Sequence, residues 1–276
     1  MRILFLGDVV GRSGREILVE RLPDLRRRLA ADAVVVNGEN AAGGFGITAK
    51  IAEEFFQAGA DVVTGGNHSW DQKEALSFIE QEPRLLRPVN FPAGTPGRGT
   101  FLVPVSGNRS LLVINLMGRI FMDPLDDPFA AIERELARFR LGANVSAILV
   151  DLHAEATSEK MAMGHFLDGR VSFVVGTHTH VPTADAQILP GGTAYQSDAG
   201  MCGDYDSVIG MDKAVPIQRF VRKLPTDRMS AATGPGTLCG VFVETDDRTG
   251  LARRIVPVRL GARLAESLPE AALASA

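Results

Sequence analysis

Short apolar runs punctuate the first part of the chain, and each ends in a polar turn containing glycine. Ile3 to Leu6, Ala33 to Val36, Asp61 to Thr64, Leu111 to Asn115, Ala147 to Asp151 and Val171 to Val175 are β-branched or aromatic and too short for helices. They predict buried strands. Between them the spacing predicts helices. One starts at about Arg15, after Gly11 and Gly14 loosen the turn, with Pro23 interrupting or restarting it. A second runs from an N-cap at Thr48 to a terminating Gly59. Asp71 and Glu74 have the spacing of a capping box for a third. Asp127-Pro128 caps a fourth that runs to Gly142, and a fifth spans roughly Ser158 to Asp168 before Gly169. The alternation of strand and helix predicts an α/β fold.

The remainder is less regular. Residues 83–108 are rich in Pro and Gly and predict loops with short strands. Thr193 to Gln196, Gly240 to Glu244 and Ile255 to Leu260 read as strands without intervening helices, which predicts a more antiparallel second half. The Ala-rich tail from Glu266 predicts disorder. No repeat or linker divides the chain, so a single domain over residues 1–276 is expected.

Composition narrows the class. Apolar residues make up 45% of the chain and charged residues 22%, which suits a globular enzyme and excludes a disordered chain. The net charge of -4 supplies no basic field, so no extended nucleic-acid track is expected. The basic cluster of Arg21 and Arg26 to Arg28 fits a solvated helix face. Cys202 and Cys239 lie far apart with no C-x-x-C, so reduced thiols are the default. Asp8 interrupts the first apolar run too early for a signal peptide, and no run approaches membrane-spanning length. These features predict a cytoplasmic protein with no membrane partner. They are compatible with a homo-oligomer and do not set its size.

The polar residues that follow the strands form a set: Asp8, Glu39, Asn40, Asn67, His68, His153, His178 and His180. Four of the chain's five histidines belong to it. Crevices at the carboxyl ends of strands are where open α/β sheets place ligands. Carboxylate, amide oxygen and imidazole together suit a pair of divalent ions, iron or manganese first and zinc next, rather than a thiolate zinc site. A bridging carboxylate holds two such ions about 3.5–4 Å apart in phosphatases and nucleases. Each member has a plainer explanation. Asp8 could cap a helix, Glu39-Asn40 could form a turn, and Asn67-His68 could be satisfied loop polars. His153 could pair with Glu155, and His178 with His180 could sit in a solvated turn. Their shared position after successive strands argues against so many coincidences. His165 is assigned to the core edge or solvent.

Gly7-Asp8, Gly38-Glu39-Asn40, Gly66-Asn67-His68, His153 and Gly176-Thr177-His178-Thr179-His180 resemble, in order, the blocks of the calcineurin-like metallophosphoesterases. Gly7-Asp8-Val9-Val10-Gly11, Asn37-Gly38-Glu39-Asn40 and Ser207-Val208-Ile209-Gly210-Met211 resemble the YmdB branch, whose members are implicated as 2′,3′-cyclic nucleotide phosphodiesterases. Val10 stands where the superfamily usually has His, and Glu39 where it usually has a bridging Asp. The branch shares both changes.

The resemblance implies a four-layer α-β-β-α sandwich, with two mixed β-sheets flanked by helices. It implies one metal on Asp8, Glu39, Asn40 and His180, and another on Glu39, Asn67, His153 and His178. A hydroxide between the metals would attack phosphorus, with His68 as general acid. The expected substrate is a small phosphodiester or nucleotide. A phosphomonoesterase, or a non-catalytic regulator that binds metal or nucleotide, stays open on the same site. Arg12 and Arg15 in Gly11-Arg12-Ser13-Gly14-Arg15 could touch phosphate or simply flank a turn. Gly43-Gly44-Phe45-Gly46 could be a rim loop or a connector, and only the resemblance marks residues 204–211 as a substrate-approach loop. No G-x-S-x-G, Walker A or Rossmann fingerprint is present.

Overall fold

A computed structural model describes residues 1–270. The elements in chain order are β1 (Arg2–Leu6), α1 (Gly11–Arg28), β2 (Ala33–Asn37), α2 (Ala49–Ala58), β3 (Val62–Thr64) and α3 (Ala75–Phe78). There follow β4 (Thr100–Val105), β5 (Arg109–Met117), α4 (Pro128–Leu136), β6 (Ala147–His153), α5 (Thr157–Phe166) and β7 (Phe173–Thr177). The last are β8 (Gln187–Ile188), β9 (Ala194–Gln196), α6 (Ala214–Arg222), β10 (Thr237–Thr245) and β11 (Ala252–Gly261). They form a five-stranded sheet in the order β11-β10-β1-β2-β3 and a six-stranded sheet in the order β4-β5-β6-β7-β9-β8. In the first, β1, β2 and β3 run parallel while β10 and β11 are antiparallel. In the second, β5, β6, β7 and β9 run parallel between antiparallel edges β4 and β8.

The near-continuous apolar strands follow from burial of both faces. In β1, Ile3 and Phe5 point between the sheets, where they meet Leu149, Phe173 and Val175 of the second sheet's core. Leu4 and Leu6 point the other way, into a core with Ile17, Leu18 and Leu22 of α1 and Ile51 and Phe55 of α2. The second sheet repeats this: Ile148, Val150 and Leu152 of β6 pack with Ala131 and Ile132 of α4 and Met163 of α5. Three apolar layers thus separate helix, sheet, sheet and helix, the sandwich that the resemblance implied.

Several local expectations are corrected. Helix α1 begins at Gly11 and runs unbroken through Pro23. The proline removes the N–H that would bond the Val19 carbonyl, but Val19 is 40% exposed, so water can serve instead. Thr48 caps α2 through Ile51 N, and Gly59 ends it in the left-handed region at φ 112°. No capping box forms at Asp71 and Glu74: Asp71 bonds the His68 ring, Glu74 accepts from Ala49 N, and α3 has only four residues. Helix α4 stops at Leu136 rather than Gly142, because Asn144 closes a turn by accepting from Arg140 N and donating to Arg138 O. In the second half β9 joins parallel to β7, and α6 intervenes before β10. Ser267 pairs with Arg259, so the tail is ordered at that point. The rest of the tail, residues 271–276, lies outside the described residues.

Candidate metal centre

Parallel strands deliver their following residues to one edge of the sandwich. Strand β1 leads to Asp8, β2 to Glu39 and Asn40, β3 to Asn67 and His68, β6 ends on His153, and β7 leads to His178 and His180. Glycines permit the convergence by lacking volume. A Cβ on Gly66 would fall 2.6 Å from His153 Nε2 and closer still to the Glu39 carboxylate. One on Gly176 would collide with the Ser197 carbonyl oxygen.

Two groups of donors result, Asp8-Glu39-His180 and Glu39-His153-His178, each with ligand-type atoms within 4.8 Å of one another. Glu39 belongs to both. Around His153 Nε2 lie Asn67 Oδ1 at 2.8 Å, His178 Nδ1 at 3.0 Å and Glu39 Oε1 at 3.2 Å. Bonds of about 2.0–2.2 Å to one divalent ion would hold neighbouring donors roughly 3 Å apart. In the other group, His180 Nε2 is 3.8 Å from Asp8 Oδ1. Asn40 Nδ2 is 2.8 Å from Glu39 Oε1 and 3.2 Å from His180 Nε2. A half-turn of that amide exchanges nitrogen for oxygen and presents a donor of the right type.

The outer partners orient each ring. Ile209 O, which can only accept, lies 2.7 Å from His180 Nδ1, so that nitrogen carries the proton and Nε2 its lone pair. Glu155 Oε2 lies 3.2 Å from His178 Nε2, while His178 Nδ1 is turned toward His153 Nε2 at 3.0 Å. His153 Nδ1 donates to Thr177 Oγ1, whose hydroxyl donates to Asp151, which also accepts from Thr64 and Asn37. Nδ1 of His178 and Nε2 of His153 thus face each other with oxygens around them. Such an arrangement suits a cation, and the donor set fits a divalent one.

Without a metal, a proton fills that role. Burial opposes charge on His153, but Glu39, then Asp8 and Asp151, outweigh it and push the ring up to about 9. Burial and the neighbouring charge of His153 push His178 down to about 3. Burial also works against the Glu39 carboxylate, yet His153 and His68 hold it well below its usual range. For Asp151 burial prevails over its hydroxyl donors and raises it to about 6.

The histidine turn is strained, with φ of 93° at His178 and 66° at His180. A buried ion pair holds it. Lys160 Nζ lies 3.0 Å from Asp198 Oδ2, which accepts from Thr179 N and Thr179 Oγ1, while Asp198 Oδ1 accepts from Gly200 N.

All seven residues expected to bind metal therefore converge. Asp8 caps no helix: α1 has Val10 at its N-cap, and Asp8 accepts from His178 N. His153 is fully buried, and Glu155 pairs with His178 instead. His68 stands beside the groups, its side chain 28% exposed. Its N–H donates to Glu39 Oε2, and its Nδ1 lies 2.8 Å from Asp71 Oδ2. His165 is not among the residues gathered here. Arg12 and Arg15 line a separate cleft of ≈ 770 Å³ with Thr48 and Lys50, and Arg12 is paired with Glu16. Ser13 donates to Gly234 O, and Gly11 and Gly14 of that turn are buried. Within residues 204–211, Ile209 anchors His180 and the Tyr205 hydroxyl bonds the His180 carbonyl. Sequence reading gave Asp71 and Glu155 other partners and did not mark Asp151 or the Lys160–Asp198 pair as supports of the site. Only Asp71 had a local signal, three residues after His68.

A four-layer α-β-β-α sandwich that gathers carboxylate, amide and imidazole groups at its strand ends is a metallophosphoesterase architecture. The chain belongs to the YmdB-like protein family, whose profile matches residues 4–258. A Bacillus subtilis (strain 168) protein named 2′,3′-cyclic-nucleotide 2′-phosphodiesterase is 51% identical over 255 residues, covering 92% of this chain and 95% of its own. A Thermus thermophilus structure, described as a hypothetical protein, superposes with a TM-score of 0.88 at 44% identity over 95% of this chain and 100% of that one. A Mycoplasma pneumoniae structure described as a novel phosphatase does so with a TM-score of 0.87 at 34% identity, covering 95% and 93%.

Two outcomes follow from this geometry. Asp198→Ala leaves the Lys160 ammonium buried and unpaired, and should cost about 3–5 kcal/mol in urea unfolding. Lys160→Met combined with Asp198→Leu should recover most of that loss, and failure to do so would show that the carboxylate's bonds to Thr179 and Gly200 dominate. A metal held by His153 would displace its proton, which is held up to about pH 9. Apparent metal affinity should therefore rise about tenfold per pH unit for one displaced proton, flattening above about 9. Calorimetry at pH 7.5 in two buffers of different ionisation enthalpy should, on the same reasoning, register proton release.

Proposed function

We propose that this chain hydrolyses 2′,3′-cyclic nucleotides with the help of two divalent cations, iron or manganese before zinc. The observation that carries the reading is Glu39, a buried carboxylate shared by two donor groups. Asp8, Glu39, Asn40 and His180 would hold one ion, and Glu39, Asn67, His153 and His178 the other. Bound there, the ions supply Lewis acidity toward the phosphoryl oxygens and lower the pKa of a water. Family membership and the name of the B. subtilis relative support the substrate class. Two buried free thiols, Cys202 and Cys239, favour a reducing cytoplasm as the setting. Among the described residues, no helix is long and apolar enough to cross a membrane.

The chain's own contribution to bond cleavage is assigned to His68. Asp71 accepts from Nδ1 and fixes the ring's orientation, so Nε2–H can be given to the departing ribose oxygen as its bond to phosphorus breaks. The water oxygen forms the new bond to phosphorus, and the product is a nucleoside monophosphate. His68 N–H on Glu39 ties this donor to the ions' shared ligand. The strained five-membered diester needs little further activation.

His68→Ala should lower kcat on a cyclic nucleotide by about 10²–10⁴, while a p-nitrophenyl ester, whose leaving group needs no proton, should lose far less. Equal losses would overturn the acid role. Elemental analysis should find two metals per chain, with turnover lost on chelation and restored by manganese or iron. Glu39→Gln should empty both positions, and retained double occupancy would sink the shared-ligand assignment. Turnover of monoesters alone would make the protein a phosphomonoesterase. Metal without any turnover would make it a regulator.

A further inference from the structure

We propose that Phe121 is the stacking platform for the nucleobase of the substrate, which makes this site selective for base-bearing cyclic phosphates. The inference rests on the phosphodiesterase reading above and adds the part of the substrate recognised away from phosphorus. Phe121 is 90% exposed, the most exposed of the chain's large apolar side chains among the described residues. Its φ of 61° is unusual for a bulky residue, so the backbone holds the ring out at a local cost.

The turn that presents it is built. Gly118 N donates to the carbonyl of His153, so the turn hangs from a residue of the donor cluster itself. Glu159, only 9% exposed, accepts from Arg119 N and Ile120 N with its carboxylate. Arg119 is further paired with Asp127. A cavity of ≈ 380 Å³ lies between this turn and the cluster, lined by Phe121, Met122 and Asp123 on one side and by Asn67 and His178 on the other. That volume is within the range of small-molecule sites, about 300–1,000 Å³. A phosphoryl group placed at Asn67 and His178 puts the rest of the nucleotide in reach of Phe121.

Three other aromatics of this kind already have partners or lie in other clefts. Phe45 meets the His68 ring edge-on with centroids 5.3 Å apart and lies under Arg228. Phe166 packs on Phe129. Phe220 belongs to a separate cleft with Arg219 and Lys223. Every base has a π face, so stacking on Phe121 accepts all four bases while excluding a bare sugar phosphate.

The test compares adenosine 2′,3′-cyclic phosphate with the 2′,3′-cyclic phosphate of methyl ribofuranoside, which has no base. In Phe121→Ala the ratio of kcat/KM for the two should fall roughly 5- to 150-fold, the equivalent of one stacked base. The loss should lie in KM, and Phe121→Trp should restore the ratio. An unmoved ratio, or a Trp variant no better than Ala, overturns the inference. Wild-type protein that turns over neither compound overturns the phosphodiesterase reading instead. In that event calorimetry with adenosine 3′-monophosphate on metal-loaded protein decides the stacking: weaker binding to Phe121→Ala supports it, and equal binding refutes it.

Discussion

The structure depends on how a handful of buried acids are compensated. Asp8, Glu39, Asp151 and Asp198 are all at most 1% exposed. Lys160 answers Asp198, and hydroxyl and amide donors answer Asp151. Nothing comparable answers Asp8 and Glu39 together: the groups around them are imidazoles and amides. A charge removed from water without a partner costs several kcal/mol or more, and burial accordingly pushes Asp8 above its usual range, so a cation at the strand ends would relieve both carboxylates. The polypeptide supplies one proton, on His153, and leaves His178 and His180 facing inward. Under the proposed reading, a divalent ion in each group would satisfy the carboxylates and the inward-facing imidazoles at once, so the electrostatics and the donor geometry point the same way.

That requirement explains where the fold is rigid. The strand ends are fixed by ladders on both sides and by apolar packing on both faces, so Asp8, Glu39 and His153 have little freedom. His178 and His180 come from a turn, and turns are mobile unless tied down. Here the tie is the Lys160–Asp198 pair beneath Thr179, together with the Ile209 carbonyl on His180. The positive φ angles at His178 and His180 are the cost of aiming two side chains of one turn at two different donor groups.

Much of this was legible before the structure, and the reason is physical. A strand buried on both faces must read as an unbroken apolar run, so polar residues appear only where it ends, and Asp8, Glu39, His153 and His178 were exposed to view by that contrast. Glycines at 7, 38, 66 and 176 marked the same edge. What could not be read were partners distant in sequence. Asp151 looked like the last residue of a strand, and Glu155 like a partner for His153. Asp71 looked like a helix cap because i, i+3 spacing serves both a capping box and a carboxylate beneath a histidine. Helix α6 escaped notice because Ile217, Phe220 and Val221 are left exposed and Pro216 interrupts the pattern, so its apolar side has no core to reveal it.

The division between floor and rim has a consequence for specificity. The floor recognises only a phosphoryl group and its charge, which monoesters and diesters share, so it cannot by itself choose between them. A choice must come from groups that meet what is attached to phosphorus. On one side His68, steadied by Asp71, can protonate an alkoxide leaving group, which matters for a ribose ester and little for a phenolic one. On the other, the turn at residues 118–122 holds the Phe121 ring toward solvent, across a cavity of ≈ 380 Å³ from Asn67 and His178. Both features sit on loops, where they can change without disturbing the strand ends. If His68 gives the proton and Phe121 meets the base, as proposed, the groups beside the metal ligands and not the ligands themselves would set the choice of a nucleotide ester over phosphate alone.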